Sequence, residues 1–264
     1  MTSNPSSEYV AAVARVFNDD GRGVRGNLAA VVKAILLHPE ARRPPSGTSY
    51  GKLKEPILRL TQFWRAFDAK SETGEFDLDV FCCSRAEFGT TLYVIAPGLW
   101  LGQSPNQSPS VFNFFSPSFS PPGEISRMGL IAPEMQLGTE HLQSKITGLF
   151  WLLANHDGRR LFETGAIGKR DGHTVFFDNS YEWENAYNDD LLIDSISQKL
   201  FGDSSAMSSP LRKSIKMRLS RFTRWWKPGD PDFEGKPNDL HLRKIRSVDA
   251  MFFAVSSPEF ALQQ

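Results

Sequence analysis

The stretch from Gly98 to Glu134 most limits what this chain of 264 residues can fold into. Between Ser104 and Pro122 it holds six serines and five prolines, a density that interrupts regular helices and strands and by composition alone suggests a solvated linker. Five large apolar residues, Val111, Phe112, Phe114, Phe115 and Phe119, are threaded through it. Each phenyl ring gains roughly 1.5–3 kcal/mol on leaving water. The prolines already restrict the unfolded chain, so less entropy is lost when the segment orders. The expectation is an ordered centre, with Phe112, Phe114, Phe115 and Phe119 contributing to the core. Two conformations fit: one or two helical turns opened by Ser108-Pro109 and stopped by Ser116-Pro117, or an extended loop pinned by its aromatic residues.

On either side the apolar residues recur at helical spacing. Ser6 or Ser7 caps a first helix carrying Tyr9, Val10, Val13, Val16 and Phe17, and Asn18-Asp19-Asp20-Gly21 ends it. Read as a calcium loop that turn places Arg22 and Ala29 at two ligand positions, so it reads as a helix-terminating turn instead. Asn27 caps a second helix that closes at His38-Pro39, and the two make a helical hairpin. A third helix starts at Glu55-Pro56 and lines up Ile57, Leu60, Phe63, Trp64 and Phe67. Residues 76 to 96 lack a helical period, although Leu92 to Ile95 is β-prone. Beyond the centre, Thr139, Asn188 and Ser209-Pro210 each open a helix, and a last helix runs from about Asp239 to Val255. An Asp-Gly turn beside Thr174-Val175-Phe176-Phe177 suggests a small β-hairpin near residues 171 to 178. The predicted fold is mainly α: an irregular multi-helix array around the Pro/Phe-rich segment with one hairpin excursion. It forms a single domain over 1–264, or halves 1–97 and 135–264 joined by 98–134. AILLHPEAR (Ala34 to Arg42) and FFAVSSPEFAL (Phe252 to Leu262) echo each other, both running a helix into a Pro-Glu step where proline stops one helix and restarts another.

The strings LGQSP, PSVFNFF, SPPG and GLIAPE, in this order, together with NDDGRGVRGNLAAVVKAILLHPEAR, GKLKEPILRLTQFWRAF and SSPEFALQQ, resemble the bacterial domain-of-unknown-function 1800 family. The resemblance covers most of the chain, with residues 76–97 and 155–187 least alike. It implies a mostly helical protein and brings no established activity from which catalytic residues could be carried over. Relatives extend further at the N-terminus, so the chain reads as the family's C-terminal half, and the missing half or a separate protein is an expected partner, with self-association as the other outcome. Relatives are often exported, whereas MTSNPSSEYV carries no signal-peptide pattern and by itself reads as cytoplasmic.

Chemistry is sparsely signalled. The 30 basic and 30 acidic residues cancel, so no global field favours nucleic acid or an anionic membrane. Adjacent Cys82 and Cys83 form neither a loop-closing disulfide nor a metal site on their own. The best metal-binding constellation is His156, Asp157, His173 and Asp178, flanking the expected hairpin; two imidazoles and two carboxylates suit zinc or another divalent ion and would support a metal-dependent hydrolase. A P-loop pattern is absent from the sequence. Arg212, Lys213, Lys216, Arg218, Arg221, Arg224 and Lys227 give the strongest local charge signal, a cationic stripe opposite Leu211, Ile215, Leu219, Phe222 and Trp226. Such a helix binds anionic lipid or phosphates, or it is a core helix with a solvated face. The first expectation for function is therefore a structural or interaction protein acting with a partner; the metal-dependent enzyme is the alternative.

Overall fold

Helix starts follow their caps. In the computed structural model, which describes residues 3–42, 51–70, 81–83, 92–94, 97–155, 177–222 and 237–263, α1 (Ser7–Asn18) begins behind Ser6, whose hydroxyl accepts from the Tyr9 amide. Helix α2 (Leu28–Leu37) begins behind Asn27, whose side chain accepts from Ala30. Each cap satisfies one of the donors that a helix start leaves without a partner. His38 alone separates α2 from the single turn α3 (Pro39–Arg42). There follow α4 (Pro56–Ala66), α5 (Pro97–Leu101), α6 (Glu124–Arg127), α7 (Glu140–Asn155), α8 (Ser180–Glu184), α9 (Asp189–Phe201), α10 (Ser209–Phe222), α11 (Pro237–Val255) and α12 (Pro258–Ala261). Thr139 caps α7, Asn188 caps α9 and Ser257 caps α12. The fold is mainly α, as predicted. A short antiparallel pair sets β1 (Phe81–Cys83) against β2 (Leu92–Val94), so the β-prone Leu92 finds its partner in Cys83. Residues 156–176, and with them most of the hairpin expected at 171 to 178, lie outside the described residues.

The chain divides into two units that are discontinuous in sequence. One comprises Met1–Lys52, Phe115–Gln136 and Gln264; the other comprises Leu53–Phe114 and Leu137–Gln263. The hydrophobic core described here belongs to the second unit. There α4 contributes Leu60 and Phe63, α7 contributes Ile146, Leu149 and Phe150, and α9 contributes Leu192, Ile193 and Ile196, all nearly inaccessible to water. Each set repeats at three- and four-residue steps, the spacing that places side chains on one stripe of a helix. The Phe63 ring lies 5.0 Å from both Phe67 and Phe177 and 5.8 Å from Phe150, in the tilted and edge-on arrangements that ring quadrupoles favour.

Helix α11 packs against α7, α8, α9 and α10, and it carries Arg246, a charged side chain among the largest fully buried ones. The guanidinium donates from Nε to the Ala186 carbonyl at 2.6 Å and from Nη1 to the Leu219 carbonyl at 2.7 Å, and it pairs through Nη2 with the Asp189 carboxylate. Burial pushes its pKa below the ordinary arginine value, and the Asp189 charge opposes that shift. A second buried charge, Glu182, accepts from the Ser195 hydroxyl and from Lys199 Nζ at 2.8 Å, joining α8 to α9.

The Pro/Phe-rich stretch is a loop held by hydrogen bonds, and the helix expected after Ser108-Pro109 does not form. Ser110 bridges to Asn113, which adopts a φ of 70°, so Val111 and Phe112 form the tip of a tight turn. Phe112 is therefore 57% exposed rather than part of the core: the turn carries its ring away from the protein body. Phe114, Phe115 and Phe119 are half-buried. Amides anchor this part of the loop more than rings do. In the core-bearing unit the Glu55 carboxylate accepts from Gln103 Nε2 at 2.7 Å and from Asn113 Nδ2 at 2.9 Å, while Gln103 Oε1 accepts from the Ile57 amide. In the other unit Asn4 makes two hydrogen bonds of 2.9 Å with the backbone of Ile131, and the Ser120 hydroxyl donates to the Leu130 carbonyl.

Two substitutions test this arrangement. Arg246→Met strands a carboxylate and two carbonyls, so equilibrium denaturation should show a loss of about 3–5 kcal/mol, and Arg246→Lys should restore little because an ammonium does not span three fixed acceptors. Phe112→Ser, at the exposed tip, should stay within about 0.5 kcal/mol of wild type in the same measurement; a loss as large as that of a core phenylalanine would put the ring back in the core.

Candidate interaction surfaces

The hairpin α1–α2 is built by local chemistry. The buried Tyr9 stacks on His38 with ring centroids 4.3 Å apart, and its hydroxyl donates to the Ile35 carbonyl, tying the start of α1 to the end of α2. In the connection Asp19 accepts from the Gly21 and Gly23 amides, and Asp20 accepts from the Arg22 and Val24 amides and from Asn27 Nδ2 at 2.7 Å. The Asn27 bond is the main reason the Asp20 carboxyl titrates below the usual carboxylate range. These acids bond the loop's own amides, as a helix-terminating turn requires.

The α2 sequence LAAVVKAILL is apolar all round apart from Lys33, yet none of its residues is buried. Leu28 is 67% exposed, and Val32, Leu36 and Leu37 are each about half exposed. Val10 and Phe17 on α1 and Val24 in the turn are exposed too. A helix apolar on every side normally lies inside a core. Its spacing alone reads as an ordinary amphipathic hairpin; the signal that something else is needed is the scarcity of polar residues on α2.

The cationic helix α10 is largely paired. Arg212 pairs with Asp194, Lys216 with Asp190 at 2.6 Å, and Arg218 with Asp249 at 2.6 Å, so α9 and α11 supply the acids. Its apolar positions Ile215 and Leu219 are fully buried. Lys213 and Arg221 remain on the exposed face, and Arg224 and Lys227 lie outside the described residues. An open cleft of about 670 Å³ beside Asp194, Ser205, Lys213 and Lys216 collects both signs of charge. Among the described residues no helix is long and apolar enough to cross a membrane.

Of the expected metal ligands, His156, Asp157 and His173 lie outside the described residues. Asp178 accepts from the amide and hydroxyl of Ser180 at the start of α8. Among the described residues no group of three or more metal-ligating side chains comes together.

Lys54 was not singled out by any sequence pattern. Its Nζ donates to Gln62 Oε1 at 2.8 Å and sits 4.6 Å from the centre of the Phe260 ring. Burial, with a smaller contribution from the nearby Arg59 charge, pushes its pKa down from 10.5 to about 8. Between those values the folded chain holds a neutral amine where the unfolded chain binds a proton, so this group's contribution to stability rises with pH across that window. Lys54→Met is therefore expected to raise the melting temperature at pH 7 and to lose that advantage near pH 10. An advantage that stays constant with pH would show that the amine is not desolvated.

No curated protein and no solved structure matches the chain. A family model matches residues 1–262, nearly the whole length, in keeping with the resemblance carried by LGQSP, PSVFNFF and GLIAPE. The chain belongs to the family described as "Protein of unknown function (DUF1800)".

Proposed function

We propose that this protein acts by protein–protein association through the α1–α2 hairpin rather than by catalysis. The observation that carries this reading is α2: ten residues with one charge and none of them buried. Completing the burial of a half-exposed Leu or Val gains on the order of 1 kcal/mol. The exposed apolar residues of the hairpin together thus hold a driving force large enough to matter in water and of no benefit to a helix that stays solvated. Apolar patches of this kind on soluble proteins mark interaction surfaces. The cationic helix offers less, because three of its charges already pair with neighbouring acids.

Val32→Glu combined with Leu36→Glu should leave the unfolding free energy, measured at concentrations where wild type is dissociated, within about 1 kcal/mol of wild type, since neither side chain is buried in the chain itself. The same substitutions should remove association or, in a monomeric sample, the binding of an environment-sensitive apolar dye. A cooperative melt shifted down by several kcal/mol would place these residues in the protein's own core and overturn the reading.

A further inference from the structure

We infer that α1–α3 and α10–α12 are two copies of one clasped helical hairpin, and that the stripe which lies buried on the second copy is covered on the first by a second molecule of this chain. The inference rests on the association reading above and names the partner.

The clasp is the first evidence. Glu40, the second residue of α3, accepts from the Ser6 amide at 2.9 Å and from the Ser6 hydroxyl, and Ser6 is the N-cap of α1. Glu259, the second residue of α12, accepts from the Ser208 amide at 3.0 Å and from the Ser208 hydroxyl, and the Ser208 oxygen accepts from the Leu211 amide at the start of α10. In both cases a proline opens the short closing helix and its glutamate reaches back to the serine that caps the first long helix. The two differ in length and in the joint, which is His38 alone in one and Ser256-Ser257 in the other. The recurrence extends the sequence echo between HPEAR and SSPEFAL from a stop-and-restart step to a shared three-helix construction.

Register is the second. With Ser6 set on Ser208, Val13 falls on Ile215 and Phe17 on Leu219. With Leu37 set on Val255, the ends of the two second helices, Leu28, Val32 and Leu36 fall on Arg246, Ala250 and Ala254. Arg246, Ala250, Ala254 and Val255 are at most 1% exposed, whereas Leu28, Val32, Leu36 and Leu37 are between 51% and 67% exposed. The stripe that the second copy buries is therefore the stripe that the first presents. In the second copy α11 packs against α7, α8, α9 and α10, and Arg246 of this stripe reaches Ala186, Asp189 and Leu219.

A second molecule supplies an equivalent layer. Its own α1–α2 hairpin is a pair of helices with the same aliphatic stripe, and a two-fold axis lets each face bury the other. The exposed apolar side chains of one hairpin present on the order of 600 Å², so two bring the total near 1,200 Å², the lower bound of a specific interface. The one charge on α2, Lys33, has a stem long enough to keep its ammonium at the rim, so pairing leaves no buried charge without a partner.

Light scattering on the eluting full chain tests this. The chain has a mass of 29.6 kDa, and twice that is expected for wild type and for Met217→Glu, an exposed control on α10. Val32→Glu with Leu36→Glu should raise the dimer dissociation constant by at least about 100-fold, with the helical circular-dichroism signal unchanged; should that pair fail to fold, Val32→Ser with Leu36→Ser should weaken the dimer in the same direction. A dimer that persists in the charged variant, or a wild type that is monomeric throughout, overturns the proposal. A monomer that still binds an apolar dye at Val32 and Leu36 would leave the association reading standing with a different partner, and a monomer that binds none would end both.

Discussion

The buried guanidinium of Arg246 is the constraint on which the arrangement of the helical unit depends. Its three acceptors belong to three segments: Ala186 after α8, Asp189 at the start of α9 and Leu219 in α10. An apolar side chain of similar volume would fill the same space, but it would accept any sliding of these helices along α11 that kept the volume constant. A planar cation with fixed donor directions accepts one register. The desolvation cost is offset because each donor direction meets a negative or strongly polar oxygen and the carboxylate lies at a helix start, where its charge is favoured in any case. The buried Glu182, bonded to Ser195 and Lys199, adds a second directional link between α8 and α9. Polar geometry thus sets the positions, and Phe63, Phe150 and Leu192 fill the space between them.

Much of this was legible in the sequence where the determinants are local. Ser6, Asn27, Thr139 and Asn188 cap helices because an oxygen two or three residues ahead of an amide needs no distant partner to be useful. The Pro-Glu steps restart helices for the same reason. What composition left open was the destination of each side chain. Phe112 carries the hydrophobicity of a core residue, but a left-handed Asn113 and the hydrogen bonds to Glu55 decide where its backbone goes. Glu55 reads as a helix start and turns out to receive Gln103 and Asn113. The acids that pair with α10 are Asp190, Asp194 and Asp249 on α9 and α11, and such choices follow tertiary placement.

The two clasped hairpins also divide their labour. On α10 three of the outward cations pair with acids, and the inward positions Ile215 and Leu219 vanish into the core. On α2 there is almost no outward polar face at all, and Lys33 is its single concession to water. One construction is thus written with a solvated side and the other without, a difference in what each expects to meet and not in how each is built. The family to which the chain belongs is one of unknown function.

The serine–glutamate clasp has a bearing on how freely such a hairpin can vary. It joins the first and last turns of the hairpin, across 34 residues in one copy and 51 in the other. Closure entropy grows only with the logarithm of the enclosed length, so the longer hairpin costs about 0.4 kcal/mol more to close than the shorter. Length added to the connecting turn or to the free ends of the helices is nearly neutral as long as the serine and the glutamate still meet. A hairpin fastened at its open end in this way behaves like a hinged frame whose interior is free to drift: insertions collect at the far turn, while substitutions at the two fastening residues are felt at once.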